Sequence, residues 1–358
     1  MNDSEIQTHA MKPPTSRDEQ LRLCASHPVV RRNYFIPSPP LKRASDLVLQ
    51  RVSLRRTSCS FVAVPRFGKT HATRFITNEI ASALPDVYVV RMVCEKIGAQ
   101  RPKAFHDFVF ESSGGLIERV RRDASSALMR VVRRWTIEAV SAKATHIALI
   151  ADEIQRMTPD ELTYLADITN KVLDESELRI TTIAFGSPEM VYLRDALCAL
   201  RRQDLIGRFF SGLTSFEGLQ SKDELREVMQ AYDDPDSAEF PPGSGWSFSR
   251  FFFPTAYQLG WRLHKSAPML WDAFQSTAQK FKRWELGAEY WSAAIEFVLT
   301  HYMDFDDALG PTEAQVWTAA AEDCGFAESL NATYFPGQAV VWQPRSAAEV
   351  GTRGRSDG

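Results

Sequence analysis

Gly68, Lys69 and Thr70 stand between a short apolar run, SFVAV (60–64), and a stretch with helical spacing, HATRFITNEIASAL (71–84). In that context backbone N–H groups and a helix N-terminus hold phosphate oxygens. Pro65, Arg66, Phe67, Gly68, Lys69, Thr70 and His71 would then wrap a nucleoside triphosphate, Lys69 reaching its β and γ phosphates and Thr70 ligating Mg2+. The GxxxxGK[ST] spacing is missed at one place, where Ala63 replaces the first glycine; alanine keeps the turn if its φ is negative. A second group closes the run HIALIADE (146–153). An apolar strand needs no acids at its end for stability. At the carboxyl edge of a sheet Asp152 is placed to hold Mg2+ through water, and Glu153 to polarise an attacking water. A strand followed by an Asp-Glu helix cap would read the same way taken alone, and the phosphate loop is what favours the site.

Such residues need strands that all end on one edge. Four apolar, β-branched runs are present, SFVAV (60–64), VYVVRMVC (87–94), HIALIAD (146–152) and RITTIAFG (179–186). They alternate with helical patterns at 44–56, 71–84, a long stretch from Ala104 to Val140, and 158–174. The alternation predicts an α/β fold, a P-loop parallel sheet with helices on both faces, over residues 31–232. The Pro- and Gly-rich residues 233–247 read as a linker or loop, and 248–342 as a smaller all-α region. Residues 1–30 and 343–358 are polar and irregular, which predicts mobile tails. The aromatic-rich segment from Trp246 to Trp271 fits either core packing or a docking surface.

The 358 residues are 44% hydrophobic and 24% charged, an ordinary globular composition that excludes collagen-like, coiled-coil and wholly disordered classes. No apolar run has membrane-spanning length and the polar first twenty residues lack the apolar core of a signal peptide, so a cytoplasmic protein without membrane contact is expected. Cysteines 24, 59, 94, 198 and 324 are odd in number and widely spaced, suggesting neither disulfides nor a zinc site. The net charge of −3 conceals an asymmetry: residues 31–134 carry 20 Lys and Arg against 8 Asp and Glu. That region is a candidate polyanion-binding surface.

The motifs AVPRFGKT (63–70) and LIADE (149–153), followed by TIAFG (182–186) and SPEM (187–190), resemble the Walker A, Walker B and sensor-1 regions of AAA+ ATPases. Within that class, IAFGSPEM (183–190) and FFFPTAYQLGWRLHKSAPMLWDAF (251–274) look most like the TnsC and TniB type regulators of DNA transposition, relatives in role of MuB. The resemblance spans about residues 30–285. It implies an AAA+ domain followed by a small all-α, lid-like domain, and an ATPase using ATP and Mg2+. It also implies self-assembly as an ATP-dependent ring or filament on double-stranded DNA, where the protein recruits or activates a transposase together with a target-selection protein and hydrolysis controls disassembly.

Carried over by position, Ser187 becomes the sensor-1 residue, though a serine capping the following helix fits equally. Arg208 becomes the arginine finger acting in trans, with Arg201 or Arg202 as substitutes and a surface salt bridge as the plainer reading. Arg262, in Gly260-Trp261-Arg262, loosely resembles a sensor-2 arginine. Arg119, Arg122, Arg130 and Arg133 fall near helical spacing and would give a row of cations for DNA backbone phosphates, with Arg101 and Lys103 beyond the second strand as further contacts. A solvated amphipathic face accounts for the same spacing. Two other functions compete: a small-molecule P-loop kinase, against which the adjacent Asp152 and Glu153 favour water as acceptor, and a nucleotide-gated signalling or defence switch that ignores DNA. A helicase is disfavoured, since no second motor motif follows residue 215.

Overall fold

A computed structural model describes residues 12–98, 101–116, 123–281, 284–306 and 310–333. The chain opens with α1 (Arg17–Cys24) and α2 (Pro39–Ser53), then runs β1 (Ser58–Val62), α3 (Lys69–Ala83), β2 (Val87–Val93), α4 (Pro102–Ser112), α5 (Ala124–Ser141), β3 (His146–Asp152), α6 (Pro159–Ser176), β4 (Arg179–Gly186), α7 (Glu189–Ala199), α8 (Gln203–Phe209) and β5 (Leu213–Ser215). The rest is helical: α9 (Lys222–Asp233), α10 (Phe248–Phe252), α11 (Pro254–Gln258), α12 (Ala267–Thr277), α13 (Ala288–His301), α14 (Ala314–Asp323) and α15 (Phe326–Thr333). Two units result. One holds residues 43–216; the other joins 12–42 to 217–333. Each has its own apolar core.

In the first unit all five strands are parallel, in the order β2-β3-β4-β1-β5. Every residue of β1 and β3 is buried, so both faces of the sheet are covered, which is what near-continuous apolar runs in a parallel sheet require. The registers Val62↔Gly186, Ala151↔Ala184 and Val93↔Asp152 bring the carboxyl ends of four strands to one edge. Below it Phe105, Trp135, Leu149, Ile168 and Phe209 fill the core. Local signals agree: α6 begins with Pro159 and a capping box in which Thr158 and Glu161 satisfy each other's backbone N–H groups. Two expectations are corrected. The stretch 104–140 is not one helix but α4 and α5, and a fifth strand, too short to carry a periodic signal, pairs Ser60 with Leu213.

The second unit corrects the expected boundaries. Residues 233–247 are no free linker: the buried Asp233 carboxylate accepts hydrogen bonds from Ser249 Oγ, the N–H groups of Leu263 and His264, and His264 Nδ1 at 2.5 to 3.0 Å. Glu239 takes the N–H groups of Gly243 and Gly245, so the Gly-Pro composition marks a built turn. Phe251, Phe252, Phe253, Trp261, Trp271 and Phe274 are buried, which resolves most of the aromatic segment as core. The described part of the expected tail, residues 12–30, belongs to this unit too. The Gln20 amide donates to the Phe251 carbonyl, and Val29 joins the core. The two outermost segments, 1–11 and 334–358, lie outside the described residues. No described helix is long and apolar enough to cross a membrane.

His27 shows how this segment is held. Its ring is fully buried, with the rings of Phe240, Phe248, Phe251 and Phe252 at centroid distances of 4.5 to 4.8 Å. Nδ1 accepts from the Val29 N–H at 3.0 Å, which fixes the neutral ring. Burial pushes its pKa from 6.5 down to about 3. A depressed histidine pKa means the folded state binds its proton later than the unfolded chain. The helical unit should therefore keep this contribution in full above pH 6.5 and lose it progressively as pH falls toward 3, up to about 4 kcal/mol. Thermal melts from pH 7.5 to 4, followed by tryptophan fluorescence, should show an acid limb that flattens in His27→Leu.

Candidate nucleotide site

The chain leaves β1 at Val62, and Ala63 stays extended enough to donate its N–H to the Gly186 carbonyl on β4 at 2.8 Å. Positive φ angles fall on Arg66 (70°) and Gly68 (91°) and not on Ala63, so the missing first glycine costs the loop no backbone strain. The strain sits at Arg66, at roughly 1–2 kcal/mol for a side chain in the left-handed region. Phe67 is buried and anchors the loop, while Pro65, Arg66, Thr70 and His71 are exposed around it. Gly68 precedes α3, whose N-terminus has no side-chain cap. An uncapped first turn after a glycine leaves its amides suited to an anion.

Across the edge, β3 delivers Asp152 and Glu153. Lys69 Nζ lies 3.2 Å from Glu153 Oε1, and both side chains are largely buried. Glu153 Oε2 accepts from Gln155 Nε2 at 2.6 Å, with Arg156 Nε farther off at 3.7 Å. Burial pushes the Glu153 carboxyl up, but Lys69 and the Gln155 amide outweigh it and hold the group below its ordinary pKa. Asp152 goes the other way: burial, reinforced by the Glu153 charge, raises it. The residue is 2% exposed and its Oδ1 has no hydrogen-bond partner. A buried orphan carboxylate oxygen beside the phosphate loop fits a divalent cation held through water. Among the described residues no cluster of three or more His, Cys, Asp or Glu offers a protein-only metal cage. Asp152 and Thr70 are hard oxygen donors of the kind Mg2+ takes together with phosphate oxygens and water.

The intervening strand matters as much. With β4 between β1 and β3, the Lys69 and Asp152 strands are two spacings, about 10 Å, apart, leaving room for a phosphate and a water between them. Ser187 follows β4 there, buried, and its hydroxyl donates to the Glu189 carboxylate. Pro188 occupies the N-cap position of α7, so the serine hydroxyl does not cap that helix.

The remaining candidates lie elsewhere. Arg208 is anchored within its own chain, NH1 donating to Ala166 O, Thr169 Oγ1 and Asn170 Oδ1 on α6. Arg202 forks onto Asp204 and reaches Thr163. Arg201, with φ 58°, is exposed; its N–H donates to the Cys198 carbonyl at 3.0 Å, and its side chain makes no ion pair or hydrogen bond among the described residues. Arg262, in the helical unit, stacks on Tyr257 at 3.5 Å and donates to the Tyr257 and Trp261 carbonyls.

The basic row is partly engaged within the chain. Arg130 on α5 pairs with Asp107 on α4 at 2.6 Å and lies over the Phe110 ring, which joins the two helices, and Lys103 takes the other Asp107 oxygen at 2.6 Å within α4. Arg101 and Arg133 remain exposed, and Arg119 and Arg122 lie outside the described residues. Helical spacing alone could not reveal Asp107 as the partner of Arg130. Gln155 and Glu189 were likewise missed, since neither belongs to a spacing that signals its role.

No family model matches the chain, and no curated protein matches it in sequence. Solved structures do. The Aeropyrum pernix ORC2 protein, in its ADPNP–ADP complexes, is 14% identical with a TM-score of 0.54, over 83% of this chain and 71% of that one. The likeness is one of fold, an α/β unit built on a five-stranded parallel sheet with helices on both faces. Domain III of the Thermotoga maritima replication initiation protein DnaA (13%, TM-score 0.43) is matched over 81% of this chain and 94% of its own. Drosophila ORC bound to DNA (12%, 0.42) is matched over 78% and 63%. Within this fold the loop, the paired carboxylates and Ser187 converge on one edge of the sheet.

Two outcomes follow. Asp152→Asn should raise the stability of the protein without added nucleotide by about 1 kcal/mol, because it removes a buried charge that is only partly compensated and is repelled by Glu153, while abolishing the Mg2+ dependence of nucleotide binding; calorimetry with and without Mg2+ reads both. Arg130→Ala should lower stability by about 1–2 kcal/mol, whereas Arg133→Ala should stay within about 0.5 kcal/mol, in the same melts.

Proposed function

We propose that the chain is an ATP-dependent, DNA-binding AAA+ regulator of DNA transposition, assembling on target DNA to recruit or activate a transposase, with hydrolysis controlling disassembly. The observation that carries the ATPase part is the Lys69–Glu153 ion pair beside the orphan Asp152 carboxylate. In this state the phosphate-binding cation and the acceptor for water's proton neutralise each other. A polyphosphate carries more charge than one carboxylate and draws Lys69 away, which frees Glu153 Oε1. Mg2+, when bound, supplies neutralisation of phosphate charge. Glu153 then accepts a proton from the water that attacks the γ-phosphorus, as the bond from that phosphorus to the bridging oxygen breaks and the electron pair leaves with ADP. Ser187, just past the strand between, would exchange Glu189 for phosphate or water.

Transposition rests on the likeness of 183–190 and 251–274 to the TnsC and TniB type, and DNA contact on the exposed Arg101 and Arg133 within the basic stretch 31–134. The ring or filament and the arginine acting in trans, by position Arg208 and by exposure Arg201, belong to the same reading, as do ATP at residues 65–71 and a cytoplasmic location. Arg262 would join the nucleotide only by giving up its carbonyl partners. A second reading, a nucleotide-gated signalling or defence ATPase that ignores DNA, is favoured by the engagement of Arg130 and Lys103 with Asp107.

ATP turnover measured with and without double-stranded DNA, alongside sedimentation at fixed salt, separates them. The transposition-type reading expects DNA stimulation, large ATP-dependent complexes, and a loss of turnover in Glu153→Gln on the order of 10²-fold or more with nucleotide binding kept. Arg133→Ala should then reduce the salt slope of DNA binding by about one. Turnover indifferent to DNA, without assembly, moves the assignment to the signalling switch.

A further inference from the structure

We infer that Gln155 is a positioning residue for Glu153, and that position 186 is glycine in order to admit it. The inference rests on the proposed ATP hydrolysis. Glu153 lies just past the end of β3 with φ 58°, so no regular element fixes the direction of its side chain. Its two oxygens are held by different groups: Oε1 by Lys69 at 3.2 Å, Oε2 by the Gln155 amide at 2.6 Å. Arg156, at 3.7 Å and with an exposed side chain, is the weaker third contact.

Gln155 is itself braced. It sits in the single 3-10 turn Ile154–Arg156, and its Oε1 is buried without a hydrogen-bond partner. A Cβ built on Gly186 would stand 2.7 Å from that oxygen and 2.9 Å from Met190 Sδ. Gly186 does not have a positive φ, so the backbone does not call for glycine there. The space does. Gly186 is the last residue of β4, pairs with Val62, accepts the Ala63 N–H and precedes Ser187. The Gln155 side chain thus bonds to the residue after β3 and fills the space beside the end of β4, leaving a buried acceptor unsatisfied, an arrangement that is unfavourable if nothing is gained by it.

What is gained is a pivot. When Lys69 turns to phosphate, Oε1 is released while Oε2 stays on the Gln155 amide. The carboxylate then keeps one oxygen fixed and turns the other toward water instead of swinging free. A general base held this way is oriented before the water arrives, which is where misplacement by about an ångström costs on the order of 10²-fold in rate.

The test uses the full chain with Mg2+ and ATP, in the presence and absence of double-stranded DNA. Gln155→Met keeps roughly the length and volume of the side chain and removes the amide: the Nε2 donor to Glu153, and an Oε1 that makes no hydrogen bond. It should lower kcat on the order of 10- to 100-fold while the nucleotide Kd stays within about twofold and the melting temperature is kept. Gln155→Asn retains an amide donor one methylene shorter and should recover part of that loss. Gly186→Ala should lower kcat comparably, and the pair Gly186→Ala with Gln155→Met should lose little more than either alone, since both remove one constraint. If Gly186→Ala does not fold, the isosteric Gln155→Met decides. A Gln155→Met protein with wild-type kcat, or one whose Kd weakens as much as kcat falls, overturns the positioning role. So does full additivity of the two changes. Absence of hydrolysis in the wild type, or wild-type turnover in Glu153→Gln, overturns the ATPase reading and the inference with it. An active wild type, an inactive Glu153→Gln and an active Gln155→Met overturn the inference alone.

Discussion

Parallel pairing of β3, β4 and β1 is the constraint on which the site depends. Because the three strands run the same way in fixed register, whatever follows each of them emerges at one edge: the phosphate loop after Val62, the two carboxylates at Asp152 and Glu153, and Ser187 after Gly186. That shared edge is what gathers residues 69, 153 and 187 on one side of the sheet. The complete burial of β1 and β3 makes that register hard to shift, since a slip would move each strand's apolar side chains against new neighbours on both faces. The chemistry is therefore held by the least deformable part of the molecule, while the loops that carry it stay short.

Within that frame the site is built from groups that occupy one another. Lys69 and Glu153 pair and Ser187 gives its hydroxyl to Glu189, while Asp152 Oδ1 and Gln155 Oε1 are left without a hydrogen-bond partner. The pairing keeps a cation and an anion buried at tolerable cost, because each is the other's solvation. It also means that binding and activation are coupled: the ligand that displaces a carboxylate from Lys69 is the one whose hydrolysis needs that carboxylate.

The legibility of the molecule follows the range of the interactions that decide each part. β3 and β4 match HIALIAD and RITTIAFG because a fully buried strand is written as a contiguous apolar run. The carboxylates after β3 were legible because acids at the end of such a run have no packing reason to be there. Ala63 was read with its condition attached, and the condition is met by Arg66 and Gly68 taking the positive φ angles. Arg130 failed for the opposite reason. Its partner Asp107 lies on another helix, and helical spacing describes a face without saying what it meets. β5 is three residues long, below any period, and Gln155 is defined by its distances to Glu153 and Gly186 and not by sequence pattern. Residues 12–30 looked like a tail because their anchors are polar, Gln20 on a backbone carbonyl and His27 among phenylalanines, and composition counts such residues as solvent-facing.

The placement of residues 12–42 in one unit with 217–333 makes the sheet unit an insertion within the helical one. During synthesis the segment around His27 emerges first, yet the phenylalanines that enclose it come more than two hundred residues later, a wait of roughly ten seconds or more at ordinary elongation rates. The sheet unit, contiguous in sequence, can complete itself in that interval; the helical unit cannot begin to close its core until its second half leaves the ribosome. Vectorial folding thus sets an order in which the phosphate loop is assembled before the helical unit exists, and a nascent chain halted near residue 216 would already carry the complete set of sheet-edge residues.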